Sequence, residues 1–149
     1  MLILENQILD LSETESFALK FCKDLKVGDV LLLKGELGVG KTTFSRFIIN
    51  NLHTLNKNKK PSSINSPTYP ILLTYDLSAY EIYHYDFYRV SKSTELVHLN
   101  IFEELNNSIT LVEWPGIILD SLQNYKYFTI HFDLLDENRR YLTHNLIFN

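Results

Sequence analysis

The apolar positions of this chain change period several times, and each change marks an element. Leu2 to Leu11 is rich in β-compatible apolar residues and reads as a strand. Ser12-Glu13-Thr14-Glu15 follows with capping-box spacing, Ser12 being placed to accept from a free backbone N–H at a helix start. That helix carries Ala18, Phe21, Cys22 and Leu25 at helical spacing, a stripe that belongs against a core and makes Cys22 a packing residue. Gly28-Asp29 turns the chain, and Val30-Leu31-Leu32-Leu33 is continuously apolar, the pattern of a strand covered on both faces.

A second helical stripe, Phe44, Phe47, Ile48 and Leu52, follows a glycine-rich interval. After the polar stretch from 53 to 65 come two β-like segments, 70–75 and 81–88. The second alternates, placing Ile82, His84, Asp86 and Tyr88 on one face and Tyr83, Tyr85 and Phe87 on the other. A short helical region is expected over 93–105. Ile109-Thr110-Leu111-Val112 reads as another buried strand, ending at Glu113-Trp114-Pro115. Two last strands, 127–133 and 141–148, are joined by the polar turn Asp136-Glu137-Asn138. No repeat or low-complexity linker interrupts the pattern, so residues 1–149 read as a single domain.

Composition narrows the class of partner. With 149 residues, 45% hydrophobic and 21% charged, the chain has the make-up of an ordinary globular protein. The longest apolar runs are strand-sized, no basic-then-apolar leader opens the sequence, and the one cysteine has no internal partner; a reducing cytoplasm is the expected location. A net charge of −4 argues against direct binding of nucleic acid. The short basic cluster from Lys57 to Lys60 reads as a solvated loop.

The chemistry begins in the glycine-rich interval. Gly35-Glu36-Leu37-Gly38-Val39-Gly40-Lys41-Thr42 matches the phosphate-loop pattern in full, between a strand and an amphipathic helix. Glycines let backbone N–H groups approach phosphate oxygens without an intervening Cβ. The following helix adds the positive end of its dipole. Lys41 supplies a compact cation for the outer phosphates, and the Thr42 hydroxyl a ligand for Mg²⁺. The fold class is therefore α/β, a three-layer P-loop NTPase-like sandwich with a mixed, mainly parallel central sheet.

Hydrolysis needs acids at the carboxyl ends of neighbouring strands. Asp86 and Glu113 stand at two such ends, and on sequence either can hold Mg²⁺ or polarise an attacking water. Ser66-Pro67-Thr68-Tyr69 lies between the loop helix and the next strand, where a hydroxyl can sense metal and γ-phosphate. His84 shares the face of Asp86 but reads equally as a sheet histidine; Arg89 reads as a phosphate contact or an ion-pair partner. A GTPase switch should carry Asp-x-x-Gly and Asn-Lys-x-Asp, and neither occurs; a small-molecule kinase should carry an arginine-bearing lid, and only Arg46, Arg89, Arg139 and Arg140 are present.

Taken in order, Gly-Glu-Leu-Gly-Val-Gly-Lys-Thr-Thr-Phe (35–44), Ser-Pro-Thr-Tyr (66–69), His-Tyr-Asp-Phe-Tyr-Arg (84–89) and Val-Glu-Trp-Pro (112–115) resemble the TsaE family along nearly the whole chain. The resemblance implies a bacterial ATPase using ATP and Mg²⁺ that works with the TsaB and TsaD proteins. That complex makes N6-threonylcarbamoyladenosine in tRNAs reading codons that begin with adenine. It also implies site residues: Lys41, Thr68, Asp86 and Glu113 for catalysis, Thr42, Asp86 and Glu113 for the metal, and Glu36, Leu37, Gly38, Val39, Gly40, Lys41, Thr42, Thr43 and Trp114 around the nucleotide. Val39 departs from the small alanine frequent there. The scarcity of arginines, and the cation that phosphoryl transfer needs, lead to the expectation of slow hydrolysis stimulated by the partners.

Overall fold

The structure, a computed structural model, describes residues 4–146. Its elements run β1 (Glu5–Leu9), α1 (Leu11–Cys22), β2 (Val30–Gly35), α2 (Lys41–Leu55), β3 (Leu72–Asp76) and β4 (Glu81–Asp86), then a 3₁₀ segment (Ser93–Leu99) and α3 (Ile101–Glu104). β5 (Ser108–Glu113), a second 3₁₀ segment (Pro115–Leu122), β6 (Tyr127–Leu134) and β7 (Arg140–His144) complete them. The seven strands form one sheet in the order β1-β7-β6-β2-β5-β4-β3. The central four, β6, β2, β5 and β4, are parallel. The flanking strands β3, β7 and β1 join antiparallel, giving the expected mixed sheet with a parallel centre.

Strand β2 explains the layering. Val30 to Leu33 are each 0% exposed, so both faces of this strand must be covered. Leu31 and Leu33 pack with Leu111, Ile82 and Ile130 against Phe17 and Phe21 of α1 and Phe44 and Ile48 of α2. Val30 and Leu32 pack with Val112 and Tyr85 against Leu96, Ile101, Ile118 and Leu122 from the 3₁₀ and α3 side. The alternation expected of β4 divides the same way, Ile82 entering the first core and Tyr83, Tyr85 and Phe87 the second. Cys22 lies in the first core with its thiol pushed up to about 12 by burial, a packing residue and not a nucleophile. Lys57, Lys59 and Lys60 are exposed after α2, as a solvated loop requires. Among the described residues no helix is long and apolar enough to cross a membrane.

Several boundaries differ from the sequence reading. Helix α1 is capped by Asp10, not Ser12: Asp10 Oδ1 accepts from Glu13 N at 2.8 Å, and Glu13 Oε2 accepts from Asp10 N at 2.8 Å. Asp10 has the extended backbone of a cap while Leu11 is already helical, so the first strand is shorter than predicted and Ser12 falls inside the first turn. Residues 2 and 3 of that predicted strand lie outside the described residues. Strand β4 stops at Asp86 because its Oδ1 accepts from Tyr88 N at 2.8 Å and turns the chain. The helical region over 93–105 is split by Asn100 at φ +50°. The Pro115–Leu122 segment was not legible, being a short 3₁₀ stretch without helical periodicity. The final strand ends at His144; positions 147 and 148 lie outside the described residues.

Replacing Asp10 by alanine is expected to lower the stability of the nucleotide-free protein by about 1 kcal/mol, with Ser12→Ala within about 0.5 kcal/mol of wild type. Denaturant unfolding checks this, and equal losses would return the cap to Ser12.

Candidate functional site

The phosphate loop joins β2 to α2 at the carboxyl edge of the parallel strands. Gly35 occupies φ +138°, and a Cβ there would stand 2.6 Å from the Phe132 carbonyl oxygen and 2.9 Å from Val39 Cγ1. Only glycine serves at that point. Gly40, at φ +123°, turns the backbone into α2. Val39 turns its side chain into the core, 5% exposed, which is why its extra bulk relative to alanine does not intrude on the loop. Its carbonyl is held from outside by Arg140 Nε at 2.8 Å.

Lys41 is 4% exposed. Its Nζ donates to the Gly35 carbonyl at 2.6 Å and the Glu36 carbonyl at 2.7 Å, and lies 4.2 Å from the Trp114 ring centroid. Burial lowers the pKa of this ammonium, against the upward pull of Glu113, Asp86 and Glu36. Trp114 reaches that position through a left-handed backbone at φ +56° and packs at a tilt against Tyr88, with ring centroids 4.9 Å apart and planes 47° to one another.

The two acids end adjacent parallel strands in direct register, Asp86 beside Glu113. Glu113, 2% exposed, has both oxygens engaged: Oε2 accepts from Thr42 Oγ1 at 2.8 Å, and Oε1 faces His84 Nε2 at 2.7 Å and accepts from Ser45 Oγ at 3.3 Å. Asp86, also 2% exposed, accepts from Thr68 Oγ1 at 2.9 Å as well as from Tyr88 N. Burial raises the Asp86 pKa, opposed by those two hydrogen bonds. Ser66 Oγ lies 2.7 Å from Thr68 Oγ1, and Arg89 sits 4.8 Å over the Tyr69 ring. The Ser-Pro-Thr-Tyr and His-x-Asp-x-Tyr-Arg segments are thus one contact surface.

Leu37, Gly38, Gly40, Lys41, Thr42, Thr43, Ser66, Thr68, Asp86, Glu113 and Trp114 line a single cavity of about 180 Å³. Of the residues anticipated from sequence, Val39 and Glu36 lie outside this lining, Val39 being in the core and Glu36 contributing its carbonyl to Lys41. Arg89 is exposed on Tyr69 and away from the cavity lining. Across Gly38–Gly40 lies a second cavity of about 260 Å³, walled by Asp10, Thr14, Phe132, Asn138 and Arg140 together with Thr43. Sequence reasoning missed Ser45 and Arg140. Ser45 stands three residues after Thr42 on the same helix face, a readable signal; Arg140 lies 101 residues from the carbonyl it holds, and nothing local announces it.

Among the described residues no group of three or more His, Cys, Asp or Glu is placed to hold a metal unaided. The donors that do converge, a threonine hydroxyl and carboxylates, are hard oxygen ligands, the set that Mg²⁺ takes when substrate phosphates and water complete its shell.

Comparison with known proteins places the chain in a family. The family model described as "Threonylcarbamoyl adenosine biosynthesis protein TsaE" matches residues 8–142. The chain is 40% identical over 140 residues to the tRNA threonylcarbamoyladenosine biosynthesis protein TsaE of Rickettsia felis, covering 94% of this chain and 76% of that protein. It is 31% identical over 147 residues to the protein of that name from Aquifex aeolicus, covering 94% and 95% respectively. The crystal structure of Bacillus subtilis YdiB superposes with a TM-score of 0.71 over 99% of this chain and 88% of that one, at 23% identity, and so shares the fold. Family and fold are those of a nucleotide-binding protein. The chain belongs to the TsaE family of tRNA threonylcarbamoyladenosine biosynthesis proteins.

Proposed function

We propose that the chain is an ATPase that binds Mg-ATP in the phosphate-loop cavity and resets a complex with TsaB and TsaD for repeated rounds of threonylcarbamoyladenosine formation. The observation that carries this reading is the convergence of Lys41, Thr42, Thr68, Asp86 and Glu113 on one cavity. Lys41 neutralises the outer phosphates. Thr42 and the Glu113 carboxylate would hold a Mg²⁺, which would supply positive charge to offset that developing on the transferred phosphoryl group. Asp86, with Thr68 on one oxygen, orients water at the same mouth. The cavity beyond Gly38–Gly40 offers room for the nucleoside half.

Among the described residues no arginine lines the phosphate-side cavity, Arg140 standing on the far side of the loop. This supports hydrolysis that is slow alone and rises when TsaB and TsaD are present. With a net charge of −4, the chain meets tRNA through the complex and works in the cytoplasm.

The test is multiple-turnover formation of threonylcarbamoyladenosine from TsaB, TsaD, tRNA and the threonylcarbamoyl donor, with and without this chain, alongside its ATP hydrolysis alone and with the pair. Sustained product only with the chain present, and partner-stimulated hydrolysis, are expected. Equal product without it, or fast hydrolysis indifferent to the partners, would overturn the reading.

A further inference from the structure

Glu113 is held from behind by a histidine that the proposed chemistry does not use. His84 is 0% exposed, one strand away on β4, in register with Leu111 and two residues before Asp86. Its Nε2 stands 2.7 Å from Glu113 Oε1, while its Nδ1 has no hydrogen-bond partner among the described atoms. A buried imidazole with one ring nitrogen unpartnered has not been placed for its own satisfaction, since a buried polar group without a partner is destabilising. What it gains is a single short bond to the carboxylate.

That bond has a geometric consequence. A glutamate side chain has three rotatable torsions, the last of them broad. At Glu113, Oε1 is taken by His84 and by Ser45 Oγ at 3.3 Å, leaving Oε2 as the oxygen that meets Thr42 Oγ1 at 2.8 Å on the phosphate side. Ser45 is itself tied to the Lys41 carbonyl at 3.1 Å, so its bond to Oε1 is shared. His84 is the undivided donor.

We infer that His84 is a positioning residue: through its Nε2–H it fixes the Glu113 carboxylate so that a single oxygen, Oε2, faces the Thr42 hydroxyl and the metal of the bound nucleotide. This rests on the Mg-nucleotide reading of the cavity. It assigns His84 no contact with nucleotide or metal. Partners that hold a ligating carboxylate typically change metal affinity or activity by about 10- to 100-fold when removed.

The experiment compares wild type with His84→Leu, which removes the donor, and His84→Gln, whose amide N–H reaches the position of Nε2. Mn²⁺ is titrated into protein saturated with ADP and followed by electron paramagnetic resonance; ADP affinity without metal and thermal unfolding are measured in parallel. The expected result is a loss of about 10- to 100-fold in Mn²⁺ affinity for His84→Leu, with metal-free ADP affinity within about twofold of wild type, and recovery to within about threefold for His84→Gln. The intact ADP affinity separates positioning from general damage to the fold. Should His84→Leu fail to fold, His84→Gln against Ser45→Ala decides: the glutamine must keep more of the Mn²⁺ affinity than the alanine does. Wild-type Mn²⁺ affinity in His84→Leu, or equal losses in His84→Leu and His84→Gln, overturns the inference alone. Wild-type protein that binds no ADP overturns the nucleotide reading, and the inference with it.

Discussion

Lys41→Ala is expected to weaken ATP binding by about 100- to 10,000-fold, the loss of two charge-assisted hydrogen bonds at about 1.5 to 3 kcal/mol each. In the nucleotide-free protein the ammonium is spent on the loop's own carbonyls, Gly35 O at 2.6 Å and Glu36 O at 2.7 Å, and on the face of Trp114. Phosphate oxygens offer full negative charge where those carbonyls offer a dipole, so binding exchanges weaker partners for stronger ones. Burial makes the exchange more favourable, because it has already stripped water from the ammonium and lowered its pKa in spite of the pull of Glu113, Asp86 and Glu36. The fold should survive the substitution, since the two freed carbonyls lie in a half-exposed loop where water replaces the lysine. Isothermal titration with ATP reads the affinity. Trp114, the only tryptophan, reads the exchange independently: its fluorescence should respond to ATP in wild type and not in Lys41→Ala. Affinity within threefold of wild type would remove Lys41 from the phosphate site.

The raised pKa of Asp86 bears on why the acids are there. A carboxyl whose folded-state pKa lies above its unfolded value supports stability below the unfolded pKa and loses that support as pH rises through the folded one. Burial therefore works against the ionised form of Asp86, at a stability penalty that grows as pH rises. Residues kept at a stability penalty in a cavity, beside a second acid in register, are characteristic of chemistry and not of scaffold.

Much of this was legible from sequence because the signals were local or periodic. The continuous apolar run Val30–Leu33 announced a strand covered twice, and every residue in it is buried. The phosphate loop was legible because Gly35 and Gly40 sit where the backbone must take positive φ. The alternation of β4 put His84 and Asp86 on one face, and both reach neighbours on the loop side. What stayed hidden was non-local. That β1 closes onto β7, or that Arg140 grips the Val39 carbonyl, depends on strand order, which no window of sequence contains. The cap at Asp10 was missed because two acceptors, Asp10 and Ser12, stood at the helix start, and only the extended backbone of Asp10 separates them. His84 was ambiguous for a similar reason: alternation gives its face, but its meaning comes from Glu113, 29 residues away on the next strand.

Glu113→Gln tests the division between binding and chemistry most sharply. The glutamine is isosteric and can keep the fold: its carbonyl oxygen accepts from His84 and Ser45 in place of Oε1, and its amide turns to Thr42, whose hydroxyl can accept as well as donate. What goes is the negative charge. Removing it relieves repulsion of the nucleotide phosphates and leaves the Lys41 ammonium less countered, so metal-free ATP affinity should hold or tighten. On the proposed reading the same change would strip the metal of an anionic ligand beside Thr42, and Mg²⁺-dependent turnover should fall by about 100- to 1,000-fold. Opposite signs in one variant are hard to obtain from misfolding, which weakens both. A steady-state assay across a Mg²⁺ series, with ATP titrated in chelator, measures the pair. Turnover within threefold of wild type would take Glu113 out of the metal site and pass that role to Asp86. If affinity and turnover fell together, Glu113 would be a structural support of the loop through Thr42 and Ser45.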